Sequence, residues 1–277
     1  MKHTTLENLA DEFDAFFIDQ FGVLMDASGP YLFAVDAIKR LSEYNKPIVL
    51  LSNSGKRAKE NCERLERLGF DLNLFTAVIT SGEVAYWTIK NKFGDSALIK
   101  PKIYLISRDA DKSPINGLCC EIAKDKDEAD YLIIAGSESD RKPLKYYTSL
   151  LEPMANKGVP AFCTNPDLVM LTTNGSSFGA GLIAKEYEEM GGSVTWFGKP
   201  HPLIYKFALN KIPKIEPHNV LCFGDSVEHD IRGGYFAKCK RALVRSGIHS
   251  KTNLNELTRS LEEPDMPDFV ILNFSFS

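Results

Sequence analysis

Short apolar, β-prone runs alternate with segments of helical periodicity along almost the whole of this 277-residue chain. That alternation restricts the fold more than any other feature, because strand–helix–strand order builds βαβ units and a parallel sheet. The first strand is Ala15–Asp19. Ala34, Ile38 and Leu41 then recur at helical spacing, with Val35 broadening the apolar face. The run Pro47-Ile48-Val49-Leu50-Leu51 reads as a second strand and passes into the polar turn Ser52-Asn53-Ser54-Gly55. Leu65 and Leu68 mark the next helix, closed by Gly69, and Ala77–Thr80 is a further strand. Late in the chain, residues 194–197, 220–223, 241–244 and 269–272 return as strands of the same sheet.

Between these halves lies another series of strands, 103–106, Tyr131–Ile134 and Ala161–Cys163. They alternate with helix-like segments at 143–157 and 180–190. The middle therefore holds enough elements for a core of its own, and the length suits one domain interrupted by another. The expected organisation is α/β throughout, with a core domain at 1–80 and 192–277 and an inserted α/β domain at 81–191.

Apolar residues make up 44% of the chain and charged residues 25%, an ordinary globular balance. The net charge of −4 leaves no basic footprint for nucleic acid and no polybasic patch for a membrane surface. No apolar run approaches membrane-spanning length, and the first residues lack the apolar stretch of a secretion signal. Six cysteines without Cys-x-x-Cys spacing or His-rich neighbours read as reduced thiols, which points to the cytoplasm. An anionic substrate of such a chain must be captured by local positive groups.

Four separated sites each follow an expected strand and carry a group suited to phosphate or metal. Asp19 ends the run Phe16-Phe17-Ile18-Asp19, before Gln20-Phe21-Gly22. A carboxylate at the carboxyl end of a strand is placed for chemistry, as a nucleophile or a metal ligand. Ser52 and Asn53 offer a hydroxyl and an amide to phosphate oxygens, and Lys199 is a point positive charge between Gly198 and Pro200. Asp225 and Asp230 lie in Gly224-Asp225-Ser226-Val227-Glu228-His229-Asp230. Taken singly, each has a plainer reading: the aspartates as helix caps, Ser-Asn as a turn, the lysine as a solvated charge.

The order of the four is more specific. The segments Phe17-Ile18-Asp19-Gln20-Phe21-Gly22-Val23-Leu24, Leu51-Ser52-Asn53, Gly198-Lys199-Pro200 and Gly224-Asp225-Ser226 with Asp230 resemble the motifs of the haloacid dehalogenase (HAD) superfamily of aspartate-nucleophile phosphohydrolases. Asn165-Pro166-Asp167 and Gly179-Ala180-Gly181 are similar to class IIA, whose cap is inserted between the second and third motifs. The resemblance implies a Rossmann-like core with a parallel sheet and an inserted α/β cap. It also implies a magnesium-dependent phosphohydrolase acting on a small phosphorylated metabolite through an aspartyl-phosphate on Asp19. Magnesium would be held by Asp19, the Phe21 main-chain carbonyl and Asp225, a set of hard oxygen donors. Ser52, Asn53 and Lys199 would hold the phosphate, Lys199 would also offset charge beside Asp19, and Asp230 would orient the metal-bound water or Lys199. By the same resemblance the cap chooses the substrate and pairs two copies into a homodimer, for which the sequence itself carries no signal.

Phe21 departs from the family pattern, which has a second aspartate there to protonate the leaving oxygen. Loss of general acid–base catalysis raises the barrier by about 3–5 kcal/mol, a severe loss for an alkyl ester and a tolerable one for a good leaving group. Gln20 points to the opposite side of an extended chain, so Asp26, His201 or a cap residue is the candidate replacement. The alternative expectation is a phospho-ligand-binding or regulatory protein that turns over feebly or not at all. A receiver-type phosphoacceptor shares the Asp and Lys logic but fits neither the length nor the insertion. Dehalogenase chemistry needs no magnesium, against which the Asp225 and Asp230 pair argues.

Overall fold

The computed structural model describes residues 2–95, 100–172, 175–250, 252–253, 257, 259 and 261–276. The chain divides into two compact units, Met1–Ser52 with Lys59–Ile79 and Lys199–Ser277, and Asn53–Ala58 with Thr80–Gly198. Both are α/β, as the alternation of strand and helix requires.

The first unit is built on a seven-stranded sheet in the order Lys2–His3, Phe269–Ile271, Lys240–Val244, Val220–Gly224, Ala15–Asp19, Ile48–Ser52, Ala77–Thr80. The strands Ala15–Asp19, Ile48–Ser52 and Val220–Gly224 are buried along their whole length, which is why they read as continuous apolar runs rather than alternating ones. Phe16, Ile18, Leu50, Leu221 and Phe223 pack on one face against Leu6, Leu9, Ile38 and Leu41 from the helices Leu6–Glu12 and Ala34–Ser42. The two-residue strand Lys2–His3 and the hairpin Met25–Asp26 with Gly29–Pro30 were not expected; elements so short have no periodicity to read.

The second unit carries a five-stranded parallel sheet in the order Val194–Trp196, Ala161–Cys163, Tyr131–Ile134, Lys102–Ile106, Glu121–Ile122. Its core is filled from the helices Leu144–Asn156 and Ala180–Glu189 by Tyr147, Leu151, Met154, Ile183 and Tyr187. The antiparallel pair Val169–Thr172 and Gly175–Phe178 completes it.

Two segments depart from the boundaries expected at 81 and 191. Val194–Trp196, expected in the first sheet, pairs instead with Ala161–Cys163, in register Ala161 to Val194 and Cys163 to Trp196. Its sequence marks it as a strand but does not say which sheet supplies its hydrogen bonds. Residues 53–58 also join the second unit. Glu83 binds Arg57 through both carboxylate oxygens at 2.7 and 3.1 Å and accepts the Ala58 N–H at 3.1 Å. Thr80 caps the helix Ser81–Phe93 by accepting from Glu83 N at 3.1 Å and donates to the Lys56 carbonyl at 2.7 Å. Among the described residues, no helix is long and apolar enough to cross a membrane, and the six cysteines are not joined in disulfides.

Candidate active site

Chain order and register bring the acidic strand ends together. From Ala15–Asp19 the chain builds outward through Ile48–Ser52 to Ala77–Thr80, then re-enters on the other side as Val220–Gly224. The connections diverge at that point, and ligands of open parallel sheets bind in the crevice this leaves at the carboxyl ends. Asp19 lies opposite Leu51, and Ile18 opposite Phe223. Ser52 and Asp225 therefore stand at the same edge as Asp19.

Beyond that edge, tight turns hold the carboxylates. Gly22 has φ +86° and donates its N–H to the Met25 carbonyl at 2.8 Å. A Cβ at Gly22 or at Gly247 would overlap the Asp225 carboxylate, so the two backbones wrap that side chain closely. Asp225 Oδ2 accepts the Ile248 N–H at 2.7 Å, and Ser246 Oγ donates to the Gly22 carbonyl at 2.7 Å. The turn that follows is wide: Ser226 O accepts from both Asp230 N and Ile231 N, at 2.9 and 3.2 Å. Such a π-type turn, over Val227–Ile231, sends Asp230 back under the strand end, where only a glycine at 224 leaves room for it. Ser226 N donates to Asp230 Oδ2 at 3.1 Å.

Lys199 closes the group. Its Nζ donates to Asp19 Oδ1 and, at 2.7 Å, to Asp230 Oδ1, and the residue is 3% exposed. One carboxylate oxygen from each of Asp19, Asp225 and Asp230 lies within 4.8 Å of the others. Three buried carboxylates thus face one ammonium. Burial lifts the Asp19 carboxyl well above the usual range; Lys199 pulls it down, and Asp230 and Asp225 lift it further. Burial, then Asp230, pushes Asp225 up to about 7. Burial opposes charge on Lys199, yet Asp19 and Asp230 outweigh it and hold the ammonium above its ordinary range. A surplus of negative charge on hard oxygen donors, too close together to ionise freely, fits a divalent cation.

The remaining expected residues divide. Ser52 is buried at its strand end. Asn53 belongs to the second unit, where its Nδ2 donates to Asp167 Oδ1 at 2.8 Å. Phe21 lies in the turn after the strand, 39% exposed, with the Arg64 guanidinium 4.8 Å above its ring. Gln20 is fully buried and donates to Met25 Sδ at 3.3 Å. Asp26 is spent on its own turn: its carboxylate accepts from the hydroxyl and the N–H of Ser28, which hold it below the usual range and make it a poor acid. His201 immediately precedes the helix Pro202–Leu209. The loop 246–248 went unforeseen because a backbone donor leaves no side-chain signature; the glycine after the strand Lys240–Val244 was its one trace.

Residues 16–118 match the family described as haloacid dehalogenase-like hydrolase, and residues 196–275 match the HAD-hydrolase-like family. Together they take in well over half of the chain, and they contain Asp19, Ser52, Lys199, Asp225 and Asp230. The chain is a haloacid dehalogenase-like hydrolase. It is 26% identical over 238 residues to the sugar-phosphatase AraL of Bacillus subtilis, covering 82% of this chain and 83% of that one. It is 34% identical over 92 residues to the dihydroxyacetone phosphatase of Corynebacterium glutamicum, a match spanning only 33% of either chain. Among solved structures, a haloacid dehalogenase-like hydrolase from Brucella suis 1330 superposes with a TM-score of 0.81 at 24% identity, over 98% of both chains. That likeness extends the shared fold through both units of this hydrolase.

Proposed function

We propose that this hydrolase is a magnesium-dependent phosphohydrolase of small phosphorylated metabolites, with Asp19 as its nucleophile. The observation that carries the reading is the buried group of three carboxylates around Lys199 at the switch point of the sheet. Asp19 attacks phosphorus, the bond to the leaving oxygen breaks, and water then cleaves the aspartyl-phosphate on Asp19, two easier steps replacing one. Lys199 orients the Asp19 carboxylate and offsets part of the burial that opposes its charge. Ser52 and Asn53 hold phosphoryl oxygens, and Asp230 keeps Lys199 in place from the far side. Magnesium bound by Asp19, Asp225 and the Phe21 carbonyl would neutralise the surplus charge and polarise the phosphoryl oxygens.

Phe21 supplies no proton to the leaving oxygen, and Asp26 is already engaged. Substrates whose leaving group departs as a stable anion, such as aryl or acyl phosphates, are therefore preferred. The names of the relatives, a sugar-phosphatase and a dihydroxyacetone phosphatase, support small phosphorylated metabolites as the class bound, with alkyl esters among them turned over more slowly than aryl or acyl phosphates. The second unit serves as the cap that selects it.

Purified protein should hydrolyse p-nitrophenyl phosphate with magnesium and not without it, and Asp19→Asn should lower the rate at least about a thousandfold. Equal rates for the two proteins would sink the reading. A second reading, a phospho-ligand sensor without turnover, is favoured by Phe21 alone. Calorimetry showing tight phosphate-ester binding with no hydrolysis would select it.

A further inference from the structure

We propose that Asp167 is a positioning residue for Asn53, fixing which end of that amide is offered to phosphate. The inference rests on the phosphohydrolase reading above, in which Asn53 contacts a phosphoryl oxygen. The turn Asn165-Pro166-Asp167, similar in sequence to class IIA caps, reaches Asn53 through Asp167.

Asn53 is 8% exposed, and its Nδ2 donates to Asp167 Oδ1 at 2.8 Å across 114 residues of sequence. An ionised carboxylate only accepts hydrogen bonds, so it selects the nitrogen end of the amide and excludes the flipped orientation. The other end is also confined. Gly198 has φ +94°, and a Cβ there would stand 2.8 Å from Asn53 Oδ1 and 2.8 Å from Pro166 Cδ. Asn53 is thus held from both sides, by a charge on its nitrogen and a bare backbone at its oxygen.

The turn bearing Asp167 is itself fixed from several directions. Asn165 Oδ1 accepts the Asp167 N–H at 3.0 Å, and Cys163 Sγ donates to the Asn165 carbonyl at 3.2 Å. Ser81 Oγ donates to the Thr164 carbonyl at 2.6 Å. Gly181 N donates to the Asp167 carbonyl at 3.1 Å, and a Cβ at Gly179 or Gly181 would overlap the carbonyls of Asp167 and Pro166. A turn held this way places the Asp167 carboxylate with little freedom, as a supporting residue for a binding group requires. A solvated loop has no need of glycines at 179, 181 and 198.

The test is a double-mutant cycle on kcat/KM for p-nitrophenyl phosphate with magnesium, using Asp167→Ala, Asp167→Asn and Asn53→Ala, with Tm measured for each. Asp167→Ala should lower kcat/KM about ten- to a hundredfold, and Asp167→Asn, which keeps an acceptor, should recover most of it. In the Asn53→Ala background Asp167→Ala should have no further effect on kcat/KM. Losses that multiply in the double variant overturn the proposal, whether they come from direct substrate contact or from a fold defect seen in Tm. Should wild-type protein show no magnesium-dependent turnover, the phosphohydrolase reading fails separately, and the same cycle is run on inorganic phosphate affinity by calorimetry. Coupling there sustains the positioning role; additive losses, or no phosphate binding by the wild type, overturn it.

Discussion

Both units of this hydrolase end parallel strands in charged loops, yet they treat those charges in opposite ways. In the seven-stranded unit, Asp19, Lys199, Asp225 and Asp230 are all buried, three carboxylates cluster, and Lys199 pairs with two of them. In the five-stranded unit, the loops after Lys102–Ile106 and Tyr131–Ile134 carry Arg108, Asp109, Glu138, Asp140 and Arg141 in a solvated network. There Arg108 meets Asp140 through two bonds of 2.9 Å, and the Asp109 side chain remains 65% exposed. The exposed network costs little to form and stabilises little. The buried one is unbalanced, and desolvating charge without full compensation opposes folding. Perturbed, buried carboxylates in a crevice are therefore a better candidate for a functional site than the count of charged residues is.

The sharpest way to break this contrast is to remove the Lys199 ammonium. Lys199→Met leaves Asp19 and Asp230 without their shared partner, and breaking a buried pair costs about 3–5 kcal/mol. Denaturant unfolding of metal-free protein at pH 8 should show that loss, and magnesium should restore much of it. An unchanged midpoint would mean that the group is already neutral, or hydrated, in the folded protein. The next effect is catalytic. Phe21→Asp adds an acid two residues after Asp19, the proposed nucleophile, and should raise kcat on an alkyl phosphate by about a hundredfold while changing an aryl phosphate much less. Equal gains on both esters would show that leaving-group protonation does not limit this enzyme.

Much of this was readable before any coordinates. Tyr131–Ile134 and Ala161–Cys163 were expected end to end, because β-prone apolar runs bounded by polar residues leave few alternatives. Asp19 and Asp225 each follow such a run, so their meeting at one sheet edge follows from strand order and register. What stayed hidden depends on pairing rather than pattern. The sheet that Val194–Trp196 joins is fixed by its partner Ala161–Cys163, a choice absent from its own residues. The antiparallel pair Val169–Thr172 and Gly175–Phe178 was unforeseen because Gly175, Ser176 and Ser177 carry no apolar alternation. Contacts such as Asn53 to Asp167, far apart in sequence, have no local signal at all.

Acidity gives a subtler handle on the buried group. Asp225 is pushed up to about 7 in the folded, metal-free protein, against about 3.9 for an unfolded aspartate. The folded state therefore holds that proton more tightly between about pH 4 and 7, and metal-free stability should rise as pH falls through 7. Burial opposes charge on Glu83 and Asp268, but their arginine partners outweigh it and hold both below their ordinary range, so their contribution is lost only toward acid pH. Magnesium should reverse it. The ion needs ionised carboxylates, so its apparent affinity should fall about tenfold per pH unit below 7. Thermal scans at pH 6 and 8, with and without magnesium, read both slopes; parallel slopes would contradict the assignment of Asp225 as a ligand.

The smallest expected effect belongs to the exposed network and serves as the control. Arg108→Ala breaks the two-pronged contact to Asp140 in the five-stranded unit. Its side chain is 36% exposed, so water and salt already screen the interaction, and the freed carboxylate is re-solvated where it stands. Tm should move by about 1 °C or less and be no more sensitive to pH between 6 and 8 than that of the wild type. A drop approaching that of Lys199→Met would show that the loops of the second unit carry structural strain that burial does not reveal. The contrast between the two units would then have to be drawn on backbone geometry, at Asp109 and Ala110 with φ of 53° and 54°, rather than on charge.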